Sequence, residues 1–207
     1  MELDPEVHSH AHQIGHRWID LVLALSALAL SIASIVISIQ NEANMQRLVT
    51  ANSWPYIELS HGNMTKGGEA VINFYVRNAG IGPATLEKLV VTYEGRPVLT
   101  SLELLEHCCV SHDGLEALHI GINEVENHVF SPGESLSFLE LDKSERNAAA
   151  WEKLNVERMK ISLAACYSSV FGEHWTTSFR HPKPQKVESC EALPGPAYDA
   201  NLAGPES

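Results

Sequence analysis

Basic side chains are scarce in this sequence. Its 207 residues include 14 Lys and Arg against 26 Asp and Glu, which gives a formal net charge of −12 at pH 7. Binding to a nucleic-acid backbone needs a basic surface that displaces counterions, so no nucleic-acid partner is expected. Charged residues are nevertheless only 19% of the chain, which excludes an acidic disordered protein throughout its length.

Cysteines and catalytic motifs are also scarce. Four cysteines are too few for a scaffold built from disulfides. The sequence contains no Gly-x-Ser-x-Gly, His-Glu-x-x-His or Gly-x-x-x-x-Gly-Lys pattern, the motifs of serine hydrolases, zinc proteases and phosphate-binding loops. Acidic pairs such as Glu124 and Glu126 fit an exposed strand face and need no catalytic role. We therefore expect no enzyme, no catalytic residue and no cofactor.

One long apolar run lies near the start of the chain. Residues 21–39 carry no charge and comprise eleven Leu, Ile or Val with four Ala and four Ser. As a helix this run covers about 28 Å, which is close to the thickness of a hydrocarbon core. A cleaved signal peptide would have a basic start, a shorter apolar core and a small-x-small cleavage site, and the run has none of these. We predict a single span that is retained in the lipid bilayer.

The spanning helix is predicted to continue as a stalk to about Ser53, because residues 41–53 contain no Pro or Gly. Pro55 disfavours helix at Trp54 and ends it there. Lys and Arg near the two ends decide the orientation of a span, and here Arg17 balances Arg47. The short N-terminal side and the large C-terminal side favour an N-terminus inside and a domain outside.

Small side chains follow one face of the spanning helix at spacings of three and four residues. They are Ala24, Ala27, Ser31, Ser34 and Ser38. In lipid, small residues let two helix backbones approach and let serine hydroxyls bond across the contact. The alternative is that Ala and Ser only dilute a hydrophobic span. Our hypothesis is that this face packs against another transmembrane helix, from a second copy or from a partner.

From Tyr56 the apolar pattern changes to a period of two, which is typical of strands. The strands are predicted over residues 71–78, 85–93, 136–141, 157–167 and 174–180. Turn residues separate them, and the glycines of the turn at 78–84 are assigned the structural role of permitting positive φ. A helix is predicted over 143–154 with Asp142 as its N-cap, and a weaker one over 101–107. The fold class is therefore mainly β, with residues 54–180 forming an antiparallel β-sandwich with one or two short helices.

The predicted core of this domain consists of alternating strand residues that face inward between two sheets. They are Ile72, Phe74, Val76, Leu89, Val91, Phe138, Ile161, Leu163, Trp175 and Phe179.

Neither end of the chain shows clear periodicity. Residues 1–16 form a polar tail in which His8, His12 and His16 recur every four positions. On a helix these imidazoles would align to bind a metal or to titrate together near their ordinary pKa, and the alternative is a solvated tail without a role. Residues 181–207 hold five of the ten prolines and are predicted to be disordered.

Two histidines and two cysteines cluster at His107, Cys108, Cys109 and His112. Zinc accepts these ligands, but structural zinc sites draw Cys-x-x-Cys pairs from two separate turns, which are lacking. We therefore predict no metal site. The cysteines are instead expected to be buried as small hydrophobes, or one of them to pair with Cys166 or Cys190 in an exported domain.

Three motifs give this chain a family resemblance: ANSWPY at 51–56, NAGIGPA at 78–84 and CYSSVFGEHW at 166–175. Together they resemble a group of uncharacterised bacterial single-pass membrane proteins. The NAGIGPA turn is also similar to that of bacterial immunoglobulin-like adhesion-related domains, where it joins two strands of a sandwich. The resemblance implies an immunoglobulin-like β-sandwich and assigns no catalytic residue.

These observations predict a single-pass protein of the bacterial inner membrane whose soluble domain is periplasmic. The function expected is that of a membrane-anchored protein-interaction or scaffold module. The alternative is an accessory or sensor subunit of a membrane complex that responds to metal or pH through the N-terminal histidines.

Overall fold

The apolar run and the residues after it form one uninterrupted helix, as predicted. The computed structural model describes residues 17–115 and 118–200. Helix α1 (Arg17–Asn52) has 36 residues and exposed side chains along its whole length. At 1.5 Å per residue it is about 54 Å long. By length and composition it is able to cross a membrane. The chain separates into two compact units between Thr50 and Ala51.

The described residues of the second unit form ten strands and three short α-helices. The strands are β1 (Ile57–Gly62), β2 (Val71–Asn78), β3 (Ala84–Tyr93), β4 (Arg96–Val98), β5 (Ile120–Ile122), β6 (Val129–Phe130), β7 (Ser135–Asp142), β8 (Ile161–Ser169), β9 (His174–Ser178) and β10 (Gln185–Val187). The helices are α2 (Ser101–Cys108), α3 (His112–Leu115) and α4 (Ala148–Glu157). Two single 3₁₀ turns follow at Arg158–Lys160 and Cys190–Ala192. The chain is therefore a mixed α/β protein with a long apolar helix and antiparallel sheets.

The strands form two antiparallel sheets. The first has the order β1-β2-β7-β5, and the second has the order β10-β9-β8-β3-β4, with β6 pairing to one end of β3. Every pairing among the described residues is antiparallel. This confirms the antiparallel arrangement expected from short strands that alternate with turns.

Residues of both sheets belong to one hydrophobic cluster. Nine of the ten predicted core residues are buried, and the exception, Phe179, is partly buried against the same cluster. In β2 the side chains of Ile72, Phe74 and Val76 are fully buried, in agreement with the period of two. At about 25 cal/mol per Å², burial of large side chains such as Phe74 is the main force that holds the sheets together.

Helix α2 confirms the helix predicted over 101–107 and is one residue longer. Thr100 caps its start, since its hydroxyl accepts a hydrogen bond from the Glu103 amide at 3.0 Å. The predicted helix at 143–154 is wrong in its start, since α4 begins at Ala148. The Asn147 side chain holds the preceding loop: its Nδ2 donates to the Asp142 carbonyl oxygen and its Oδ1 accepts from the Ser144 amide, both at 2.7 Å. These two hydrogen bonds stabilise a turn at the position where the sequence predicts a helix capped by Asp142.

Two predicted strands were also placed imprecisely. Strand β8 begins at Ile161 and not at 157, because residues 157–160 complete α4 and the 3₁₀ turn. Met159, expected inside a strand, is 70% exposed. Strand β9 ends at Ser178, two residues earlier than predicted.

The expectation of disorder from residue 181 onward is wrong for the described part of that segment. Strand β10 pairs with β9, and Cys190 forms a disulfide with Cys166 of β8. Tyr198 is buried, and its hydroxyl lies 2.5 Å from the Ser101 hydroxyl. A cross-link and one buried aromatic ring order a segment whose own sequence has no periodicity.

The chain enters the second unit in close contact with the turn at 78–83. A Cβ atom on Gly82 would lie 2.0 Å from the Ser53 carbonyl oxygen, and one on Gly80 would lie 2.4 Å from the Tyr56 amide nitrogen. Neither glycine has a positive φ, so the expected reason for them is wrong. They are required because two backbone segments approach more closely than any side chain permits.

The carboxamide of Asn78 joins these segments. Its Oδ1 accepts from the Tyr56 amide at 3.3 Å and from the Gly80 amide at 3.0 Å. Its Nδ2 donates to the carbonyl oxygens of Gly82 at 2.8 Å and Phe130 at 3.0 Å. Asn78 is fully buried, and four hydrogen bonds satisfy the polar group.

We expect Gly82→Ala to lower the free energy of unfolding of the globular unit by about 1–3 kcal/mol or more, because the new methyl group would overlap the Ser53 backbone. Gly67→Ala is the matched control. Its Cβ atom would make only an ordinary contact, 3.6 Å from Thr65 Oγ1, and we expect a change within about 0.5 kcal/mol. Urea unfolding of the full chain in detergent, followed by tryptophan fluorescence, measures both. Equal effects would contradict the close-approach explanation.

Candidate functional site

The predicted helix-packing residues lie along α1. Ala24, Ala27, Ser31, Ser34 and Ser38 are exposed in the single chain. Two of the hydroxyls already bond within the helix, since Ser31 donates to the Ala27 carbonyl oxygen and Ser34 to that of Leu30, both at 2.8 Å. These hydrogen bonds satisfy the serine hydroxyls in an apolar environment. The face of α1 that carries the small side chains can then be approached closely by another helix. Contact with another helix stays a prediction.

The predicted sensor residues lie outside the described part of the chain. His8, His12 and His16 precede Arg17, where the description begins. The alternative of a metal or pH sensor at the N-terminus therefore stays an expectation from the sequence.

The cysteine pairing differs from the expectation. Cys108 and Cys109 form a disulfide with each other at the end of α2, and Cys166 pairs with Cys190. Adjacent cysteines were expected to be free hydrophobes or to pair with one of the distant cysteines. Both cysteines of the first pair are nevertheless buried, as expected of small apolar side chains. Since both thiols are oxidised, this cluster lacks the thiolates that a zinc site at 107–112 would require.

An open cleft lies at the end of the sheets opposite residues 78–83. We call it the distal cleft. Its volume is about 970 Å³, which lies within the range of small-molecule and peptide sites. It is bordered by the end of β1, the β3–β4 turn, the 3₁₀ turn before β8 and the chain after β9. Its lining includes His61, Glu94, Met159, Lys160, Phe179 and Arg180.

His61 forms one wall of the distal cleft. Its ring lies against Phe74 and Phe179, with centroids 5.6 and 5.4 Å away. Its Nδ1 is 2.6 Å from Nη1 of Arg158. A guanidinium only donates, so Nδ1 accepts and the proton of the neutral ring is on Nε2. Burial and, to a smaller extent, the charge of Arg158 lower the pKa of His61 from its ordinary value of 6.5.

Arg158 is held in place by neutral acceptors. Besides its contact with His61, its Nε donates to Oδ1 of Asn155 at 3.1 Å. The same amide oxygen accepts from Nδ2 of Asn63, also at 3.1 Å. Within residues 17–115 and 118–200, no carboxylate lies at ion-pair distance from this guanidinium. Its orientation is therefore fixed while its charge is not neutralised.

Lys160, in contrast, is paired. Its Nζ lies 3.0 Å from Glu94 and 2.8 Å from Glu157. Hydrogen bonds from Lys160 and from the Tyr93 hydroxyl lower the pKa of Glu157. Lys160 and Glu94 are about half exposed, so their ion pair contributes little stability, but the two carboxylates compensate the charge of Lys160.

Arg180 contributes a further cation. It follows β9, is exposed and lines the distal cleft. Among the described residues no carboxylate forms an ion pair with it. The cleft thus combines the Arg180 guanidinium, a neutral imidazole and apolar walls in its lining, and the Arg158 guanidinium lies next to it against His61.

Sequence reasoning missed the distal cleft. Its residues come from positions near 61, 94, 160 and 180, which share no motif and meet only because the strands return to the same end of the sheets. A faint signal was present in Arg158 and Lys160, two basic residues close together in an acidic chain.

Comparison with protein-family models finds no match to this chain, and a search of curated proteins finds none either. Function therefore has to be inferred from the residues and the geometry above.

We expect His61 to titrate below 6.5, and Arg158→Met to move its pKa upward but not fully to 6.5, because burial is the larger cause. Histidine NMR titration of the full chain in micelles measures this, with His61→Gln for assignment. Lys153→Met removes a charge from an exposed position of α4 and serves as the control. Unfolding restores the ordinary pKa, so the stability that His61 contributes above about pH 6.5 is lost as pH falls toward its folded value. Titration at or above 6.5 would contradict the described contact.

Proposed function

We propose that this protein is a membrane-anchored protein-interaction or scaffold module. Helix α1 crosses the bilayer once, and the globular unit from Ala51 onward binds another protein. The observation that carries the proposal is the direct continuation of a helix of membrane-spanning length into a separate folded unit. An anchored unit concentrates its binding surface at the membrane, and its partner therefore needs only modest affinity.

The disulfide between Cys166 and Cys190 supports a location of the globular unit on an oxidising side of the membrane. Disulfides persist in the periplasm and outside cells and are rare in the cytosol. Cys166 is fully buried on β8, and the bond closes a loop with a sequence separation of 24. A bond of this kind contributes about 2–4 kcal/mol. In a bacterial cell this location is the periplasm, with α1 in the inner membrane and its N-terminus in the cytoplasm.

We also propose that the two sheets form an immunoglobulin-like sandwich related to the bacterial adhesion domains that the NAGIGPA turn resembles. Two antiparallel sheets that contribute to one hydrophobic cluster support this interpretation. Sandwich domains of this kind present loops at the two ends of the sheets, and the distal cleft lies at one such end.

We expect the globular unit to be accessible to reagents from the periplasmic side of the inner membrane. Val156→Cys, at a 66% exposed position of α4, should react with a membrane-impermeant maleimide before the inner membrane is permeabilised. Trp18→Cys, at the start of α1, should react only afterwards. In the unmodified protein, digestion after blocking free thiols should release a disulfide-linked peptide pair that contains Cys166 and Cys190. Labelling of Trp18→Cys but not of Val156→Cys in intact cells would contradict the proposed topology. So would recovery of Cys166 and Cys190 as two separately blocked thiols in place of a disulfide.

We expect single cysteines at 27, 31 and 34 to form the strongest cross-links between α1 and another membrane helix, because small side chains allow the closest approach there. Cysteines at 28, 32 and 35, on an adjoining face, serve as matched controls and should react weakly. Oxidative cross-linking in native membranes, read on non-reducing gels, measures the profile. A flat profile, or association unchanged by Ser31→Leu with Ser34→Leu, would exclude this helix contact.

A further inference from the structure

We propose that the distal cleft binds an acidic peptide segment of a protein partner, in which carboxylate side chains alternate with apolar ones. This inference rests on the proposed function and gives the partner a chemical class. It is carried by three observations: Arg180 in the cleft lining has no carboxylate partner among the described residues, Arg158 is held beside the cleft against His61, and apolar side chains of the lining are exposed.

The charges of the distal cleft oppose those of the whole chain. The protein carries a formal charge of −12, whereas the cleft and its immediate surroundings hold Arg158, Lys160 and Arg180 against Glu94 and Glu157. Both carboxylates lie at Lys160, so Arg180 in the lining and Arg158 beside it have no carboxylate partner among the described residues. A local positive site on an acidic surface favours an anionic ligand and disfavours binding of it elsewhere on the same domain.

The guanidinium group of Arg158 is preorganised for such a ligand. Its contacts with Asn155 and the neutral ring of His61 hold the guanidinium plane in position before anything binds. Groups ordered in advance lose less conformational entropy on binding. Guanidinium and carboxylate match in geometry, since two parallel N–H groups can donate to the two oxygens.

The apolar part of the lining distinguishes a peptide from a simple anion. Met159 is 70% exposed beside the cleft, and Phe179 is only partly buried against the core. A leucine-sized side chain placed between carboxylates would cover this surface. The Ser162 hydroxyl, which also lines the cleft, is able to bond to a peptide N–H or C=O group, and the Thr92 hydroxyl, which donates to the Ser162 carbonyl oxygen, is able to accept from a peptide N–H.

The carboxylate of Glu94 disfavours phosphate as the ligand. It lies in the cleft 3.0 Å from Lys160, where it would repel a doubly charged phosphate or a phospholipid headgroup. A peptide carries one charge at each acidic side chain and N–H donors between them. It can therefore place donors near Glu94 and carboxylates near the two arginines.

The test uses the full chain in phosphatidylcholine nanodiscs. The probes are a fluorescein-labelled peptide, Gly-Glu-Leu-Glu-Leu-Gly-amide, and its Gln-for-Glu counterpart, both read by fluorescence anisotropy. We expect the acidic peptide to bind at least about tenfold more tightly than the Gln peptide at low salt. Arg180→Gln should weaken acidic-peptide binding about tenfold. Lys183→Gln removes the same charge three residues later, at an exposed position outside the cleft lining, and should change binding less than about twofold.

Each other outcome overturns the inference in a recognisable way. Equal binding of the two peptides would remove the carboxylate requirement, and equal effects of the two variants would indicate unspecific attraction. Competition by millimolar inorganic phosphate would assign the cleft to phosphate, and retention on phosphatidylglycerol vesicles would assign it to lipid. Loss of peptide binding with the α1 cross-links intact would overturn only the cleft ligand. A cytosolic location together with a flat α1 profile would instead overturn the proposed function.

Discussion

The globular unit depends on the buried carboxamide of Asn78. It binds both the segment at Tyr56 and the turn that leads into β3, and it also bonds to Phe130 at the end of β6. Burying such a polar group without partners would cost several kcal/mol, so this arrangement forms completely or not at all. The glycines at 80 and 82 are a consequence, because the segments joined by Asn78 have no space for a Cβ atom between them.

The C-terminal segment completes the second sheet. Strands β3 and β8 have apolar residues on both faces, and the outer face is covered by Leu193 together with the disulfide partners Cys166 and Cys190. The Lys88 ammonium group donates to the Leu193 carbonyl oxygen at 2.8 Å and helps to hold the segment in place. Tyr198 then returns to the main hydrophobic cluster, where its ring packs against Phe138 at a centroid distance of 5.4 Å. The order of this sheet is therefore linked to an oxidised pair of cysteines, which connects the fold to the compartment proposed for it.

The two ends of the sheets differ in chemistry. At one end, the Asn78 carboxamide forms hydrogen bonds with the neighbouring backbone groups, which leaves few of these donors and acceptors for a ligand. At the other end, Arg158 and Arg180 carry charge that the described part of the protein does not neutralise. In the described globular unit, one end of the sheets is therefore closed by hydrogen bonds of Asn78, and the opposite end holds the distal cleft with Arg180 in its lining.

The sequence by itself determined the features that arise from neighbouring residues. The uncharged run at 21–39 accounts for α1, alternation accounts for Ile72, Phe74 and Val76, and Thr100 accounts for the start of α2. Only the tertiary structure decided features that require distant partners. Residues 181–200 are ordered because Cys166 and the core lie within reach, and the distal cleft exists because positions 61, 160 and 180 meet where the strands end. Local patterns report the neighbours of a residue along the chain, whereas cross-links and clefts depend on neighbours in space, which no short window of sequence contains.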